Sequence, residues 1–118
     1  MSYDIYLLDP VTKHAVEFDA PHHMRGGTYV LGGTNAATLN VTYNYSPHYY
    51  RLMGENGIRA IYGLSGAESI PILTKAIEAL SDEMDEDYWK PTEGNAKAAL
   101  LQLRAMAQMR PDGVWDGD

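Results

Sequence analysis

Between Thr38 and Tyr50 the chain gathers side chains suited to a neutral polar molecule: Asn40, Thr42, Asn44, His48 and Tyr49. In an extended strand Leu39, Val41, Tyr43 and Tyr45 fall on one side, and Thr38, Asn40, Thr42 and Asn44 on the other. Thr and Asn are an uncommon choice for a face that only has to be wet, where Lys and Glu prevail, and amides offer both donors and acceptors. His48, beside Tyr49 and Tyr50, sits where that strand meets a helix start. Its plainer alternative is a half-exposed imidazole next to core tyrosines. A second set lies at Trp89 and Asn95. An exposed Trp89 could stack a planar ring while the N–H groups of Gly94, Asn95 and Ala96, at a helix N-terminus, receive an anion. That arrangement suits a nucleotide-like ligand; the alternative is Trp89 packed over the first helical turn as a hydrophobic staple. The expected ligand-binding set is therefore Asn40, Thr42, Asn44, His48, Tyr49, Trp89 and Asn95.

Signatures of reaction chemistry do not survive the same reading. Gly63-Leu-Ser65-Gly-Ala67 approximates a nucleophile elbow, but a chain of 118 residues is too short for the hydrolase fold that gives the motif meaning, and Ser65 or Ser69 serves better as a helix cap. His22 and His23 are adjacent and point apart on a strand, although a loop could turn both onto one ion. The segment Asp112–Asp118 has the composition of a calcium loop without its spacing or distal glutamate. Its aspartates fit a wet tail anchored by Trp115. Asn40-Val-Thr42 matches a glycosylation acceptor by accident in a chain with no secretory leader. With no cysteine, thiolate catalysis, disulfides and cysteine-ligated zinc are excluded together. No catalytic residue, metal or cofactor is expected.

The elements that must position these residues divide the chain in two. Tyr3–Leu8 and His14–Phe18 read as two strands around Asp9-Pro10, an N-terminal hairpin. Residues 20–35 are glycine-rich, with an internal echo of Gly26-Gly-Thr28 and Gly32-Gly-Thr34 around Tyr29-Val-Leu31. Pro47 fits the first turn of a short helix over His48–Glu55 with Ser46 as N-cap. Ile58–Leu64 fits either strand or helix. Ser65-x-x-Glu68 has capping-box spacing, but Pro71 would then lie deep in the helix, so Ser69 is the expected N-cap. Ile70, Leu73, Ile77 and Leu80 then recur at helical spacing. The acidic run Asp82–Asp87 reads as a solvated loop, and a last helix runs from 93 to 109 on Ala96, Leu100, Leu103 and Ala107, stopped by Pro111-Asp-Gly113. The fold class expected is α+β: one domain with a small, mainly antiparallel sheet from the N-terminal half, packed against two or three C-terminal helices, and a short acidic tail from about 111.

Charge narrows the partners. Five acids face four bases up to Arg59, while eleven acids face five bases from Ala60 onward, giving a net charge of −7. Such a field disfavours direct nucleic-acid binding. No apolar run is long enough for a membrane span, and a soluble, cytoplasmic protein is expected.

Asp87-Tyr-Trp-Lys-Pro-Thr-Glu-Gly-Asn-Ala96 with the alanine-rich helix after it, the ending Arg110-Pro-Asp-Gly-Val-Trp115, and Thr42-Tyr-Asn-Tyr45 together resemble a group of small uncharacterised proteins of bacteriophage and prophage genomes, over most of the chain. The resemblance implies an intracellular accessory protein, acting in the host cytoplasm, and carries over no catalytic residue. The function expected is non-enzymatic binding of a small polar or nucleotide-like ligand. The alternative is inhibition of a host protein through the acidic C-terminal half, including mimicry of nucleic acid; a homo-oligomer stays open.

Overall fold

The computed structural model describes residues 1–23 and 33–118. Strand β1 (Ser2–Leu8) has the two-sided pattern of a half-covered strand, with Tyr3, Ile5 and Leu7 buried. It is flanked on one side by β4 (Thr38–Thr42) and on the other by β5 (Val114–Gly117), both antiparallel, in the order β4-β1-β5. Leu39 and Val41 of β4 and Trp115 of β5 join the buried face. The expected α+β class is the one found, with antiparallel sheets.

The N-terminal hairpin is a correction. Beyond the turn at Asp9, only a single bridge, Leu8 to Ala15, links β1 to the returning chain. Strand β2 (Glu17–His23) pairs instead with β3 (Gly33–Ala36) in a separate two-stranded ribbon whose register shifts between Glu17 and His22. The reason is that both sides of β1 are already taken by β4 and β5. The glycine echo at 26–28 and its apolar centre 29–31 lie outside the described residues, as does Gly32.

Three helices cover the sheet. Helix α1 (Ser46–Met53) has Pro47 in its first turn, but Ser46 is not its cap. A short 3-10 turn, Tyr43–Tyr45, runs directly into α1, so the capping oxygen moves upstream to Thr42, which accepts from the Asn44 N–H, while the Ser46 hydroxyl meets the Tyr3 phenol at 2.6 Å. That 3-10 turn also ends the alternating strand at 42 rather than 45. Helix α2 (Gly66–Ala79) starts earlier than expected. Ser65 and Glu68 form a complete capping box and Pro71 is accommodated inside the helix. The N–H that proline lacks would have bonded the Ala67 carbonyl, and Ala67 is exposed, so water can serve that carbonyl. Ser69, the expected cap, is buried as a relay: it donates to the Gly66 carbonyl and accepts from the Trp115 indole N–H, both at 2.8 Å. Gly66 is needed here, because a Cβ would come within 2.9 Å of the Arg110 carbonyl. The stretch Ile58–Leu64, open between strand and helix, is in its first part a 3-10 helix, Gly57–Ile61, and a turn after it.

Helix α3 (Glu93–Met109) has the bounds its pattern predicts, with Thr92 as N-cap. It packs along α2, and Ala99, Leu100, Leu103 and Met106 share one buried core with Leu73, Ala76 and Ile77. The residues after 111 are not a free tail: they turn into β5, whose outer edge is closed by Gly63 and Leu64, and Trp115 is buried. No helix among the described residues is long and apolar enough to cross a membrane.

Candidate functional site

The residues singled out in the sequence do come together, around the loop of residues 81–92 that joins α2 to α3. Asn95 is fully buried at the start of α3. Its amide donates to the carbonyls of Asp87 and Lys90, each at 3.0 Å, and its oxygen accepts the Asp85 N–H at 3.1 Å. Asn44 donates to the Trp89 carbonyl at 2.7 Å, and Tyr45 donates its phenol to the Tyr88 carbonyl. His48 reaches the Pro91 carbonyl through Nε2 at 2.8 Å. A carbonyl only accepts and the Arg51 guanidinium, 3.2 Å from Nδ1, only donates, so the Nε2–H tautomer serves both contacts. Five consecutive carbonyls, 87 to 91, thus each receive a donor from a side chain outside the loop.

Tyr88 is the centre of this clasp. Its ring is buried and stacked on Tyr45 with centroids 5.6 Å apart. Its hydroxyl lies against the outer edge of β4, accepting the Thr42 N–H at 2.9 Å and donating to the Asn40 carbonyl at 3.3 Å. A phenol here occupies the place of a neighbouring strand, which protects an otherwise open sheet edge. Tyr49, also fully buried, donates to the Ala96 carbonyl at 2.9 Å. Burial above all raises the Tyr45 and Tyr49 phenols well beyond their ordinary value, with neighbouring Tyr88 adding to the shift, so both stay protonated donors at any physiological pH.

The remaining predicted residues have structural partners too. The Asn40 amide donates to Ser2 Oγ at 2.7 Å and to the Asp4 carboxylate at 2.8 Å, across the β4–β1 pair. Thr42 is buried and caps the 3-10 turn. The expected anion site at the N-terminus of α3 is not available. The Gly94 N–H bonds the Glu83 carbonyl at 2.9 Å, Asn95 N–H bonds Thr92 Oγ1 at 3.1 Å and Ala96 N–H bonds the Thr92 carbonyl at 3.1 Å. Gly94 makes this closure possible, since a Cβ there would lie 2.5 Å from the Glu83 carbonyl.

Outside the clasp the loop shows a different chemistry. Trp89 is 44% exposed and tilted against Tyr88 at 5.0 Å, and Met84 is 51% exposed. Around them stand Asp82, Glu83, Asp85, Glu86 and Asp87. Lys97 meets Asp82 at 2.7 Å and Lys90 meets Asp85 at 3.4 Å, leaving the surface acidic. Sequence reasoning missed Tyr88, because no periodicity marks a loop residue as buried; Tyr45 lies on the apolar side of the alternation, but its bond to the loop leaves no signal there. No group of three or more potential metal ligands forms among the described residues. Ser65 is held in its capping box, with no sign of an elbow. No family model, no curated protein and no solved structure matches the chain.

Proposed function

We propose that the chain is a non-enzymatic binding protein whose loop 81–92 presents Trp89 and Met84, set among carboxylates, to a protein with a basic, apolar-centred face. The observation that carries this reading is the clasp itself: five adjacent carbonyls are held by side chains from outside the loop while Trp89 and Met84 face out. A loop ordered in advance loses little conformational freedom on association, and tryptophan is the residue type most enriched among energetic anchors of interfaces. The carboxylates around it would steer a basic partner and suppress an acidic one.

The small polar or nucleotide-like ligand is the weaker reading on this geometry, because Asn44, His48, Tyr49 and Asn95 direct their donors at the protein's own backbone. Mimicry of nucleic acid is also less favoured, since two of the loop carboxylates are tied to Lys90 and Lys97 and an exposed indole stands among the rest. The likeness to phage proteins makes a bacterial host protein the partner to seek, with inhibition of host defence as one such role.

The test is affinity capture from bacterial lysate with the wild type and with Trp89→Ala, followed by reconstitution with the purified partner. A partner that binds wild type, is lost with Trp89→Ala while the fold is kept, and weakens as salt is raised supports the proposal. Partners retained equally by both forms would overturn it. A nucleotide-sized adduct in native mass spectrometry would restore the small-ligand reading.

A further inference from the structure

A second feature lies at the far end of α3, some 25 Å of helix away from the loop by the usual rise per residue. There β2 and the last two turns of α3 enclose an open cavity of about 590 Å³. This is within the range of small-molecule sites, about 300–1,000 Å³. Its floor and walls are mainly apolar among the described residues: half-buried Phe18 from β2, buried Met106, and Ala105 and exposed Met109 on α3.

Five of the eleven described lining residues are polar: Glu17, Asp19, His22, Gln102 and Arg110. Arg110, the one Lys or Arg on the lining among the described residues, is turned to carboxylates elsewhere, meeting Asp9 at 3.1 Å and Asp112 at 2.9 Å. His22 approaches the Ala36 carbonyl at 2.6 Å through Nε2, which directs that nitrogen into the β2–β3 ribbon. Glu17 and Asp19 are exposed on the rim, and neither forms an ion pair among the described residues. Among the described residues, an apolar hollow with two exposed carboxylates on its lining and Arg110 already paired with Asp9 and Asp112 favours a cationic ligand.

We propose that this cavity binds a small organic cation: an aromatic or branched aliphatic body seated between Phe18 and the Met106/Met109 wall, with an ammonium or guanidinium group at Glu17 and Asp19. The two thioethers are adaptable and make favourable contacts with ring edges, which suits an apolar body of either kind. The site is separate from the loop 81–92, and the proposal stands or falls independently of a partner there.

The test uses 2-phenylethylamine as probe, with 3-phenylpropionate as its anionic counterpart, and reads the ¹³C-methyl resonances of Met106 and Met109. The amine is expected to shift both methyls and to bind at least about tenfold more tightly than the carboxylate. Glu17→Gln combined with Asp19→Asn should remove that preference while leaving the apolar contact. Ala105→Trp fills the cavity from an exposed helix position and should abolish the shifts with the circular dichroism unchanged. Equal affinity for the two probes, absence of shifts at millimolar amine, or shifts that persist in folded Ala105→Trp would each overturn the proposal.

Discussion

The two ends of α3 are held by opposite means. At its N-terminal end, residues 81–92 have no regular structure, yet side chains from the 3-10 turn, α1 and α3 itself pin their carbonyls in succession. At its C-terminal end lies the β2–β3 ribbon, which is regular in name but shifted in register, and its main-chain pairing leaves its side chains to line a cavity. Irregular backbone buried by side-chain donors can be better ordered than a two-stranded ribbon, which is marginal by itself. Asn44, His48 and Asn95, which resemble ligand contacts, bind the protein's own loop, whereas β2, read for chemistry in the sequence only at its paired histidines, is the segment left with an open hollow.

Removing the centre of the clasp should produce the largest effect. Tyr88→Ala deletes a buried ring stacked on Tyr45 and uncovers the edge of β4, and a loss of about 3–5 kcal/mol is expected by chemical denaturation. Phe18→Ala at the other end should lose no more than about 2 kcal/mol, because that ring is only half buried. Comparable losses for the two variants would break the contrast.

Asn95→Ala comes next. It removes the side-chain donor from the Asp87 and Lys90 carbonyls, which keep only the N–H groups of Lys90 and Thr92, and the acceptor of the Asp85 N–H, and about 1–3 kcal/mol should be lost. Asn95→Asp should do no better, since a carboxylate oxygen cannot donate to the two carbonyls. Hydrogen exchange across 85–92 would report the opening directly; a variant with unchanged exchange there would show that the amide is not what holds the loop.

The sequence pattern carried α3 closely, because its alanine and leucine stripe and the terminal Pro-Asp-Gly point to the bounds found, while the Thr92 cap came only with the structure. It misplaced the start of α2 because Pro71 was weighed against the capping box, and the box prevails when the carbonyl left over faces water. The convergence of Asn44, His48, Tyr49 and Asn95 was legible as a cluster of polar capacity. Its direction was not, since a side chain's donor points as well at a backbone carbonyl as at a ligand, and only the path of the loop decides. The cavity beside β2 left no mark on the pattern at all: Glu17 to His22 and the end of α3 meet only through tertiary packing.

Exposed positions should separate binding from stability. Trp89→Ala and Met84→Ala in the loop, and Asp19→Asn at the cavity, should each stay within about 0.5 kcal/mol of wild type, since none of them fills core space. Thermal melts are sufficient to check this. A large loss for Trp89→Ala would mean that the indole is the staple of the α3 start and not a presented anchor.

The smallest expected effect is a pH dependence that tells the two ends apart. The Asp9 carboxyl, in the turn leading toward β2, is held at about 2 by the N–H groups of Thr12 and Val11 and then by Arg110. Asp85, in the loop, is lowered chiefly by the Asp87 N–H, with Lys90 adding to it. Both groups have folded values below their unfolded ones, so the unfolded chain binds more protons in acid and stability falls as pH falls. For Asp9 the contribution is complete above the ordinary value of 3.8 and is lost as pH drops toward about 2. Both carboxylates are partly open to solvent, which screens the effect, and salt weakens the part that comes from the ion pairs. Asp9→Asn and Asp85→Asn should therefore each flatten the acid limb of the stability curve slightly while leaving its plateau near neutral pH lower than that of wild type. The two indole N–H resonances then separate the regions, because Trp89 belongs to the loop and Trp115 to β5, whose neighbour β1 leads into the Asp9 turn. Asp85→Asn should move the Trp89 signal and leave Trp115 in place across the acid range, and Asp9→Asn should leave Trp89 in place. If either substitution moves both signals together, the loop and the ribbon end are not independently held, and the contrast between them is a property of the drawing of elements rather than of the forces in the molecule.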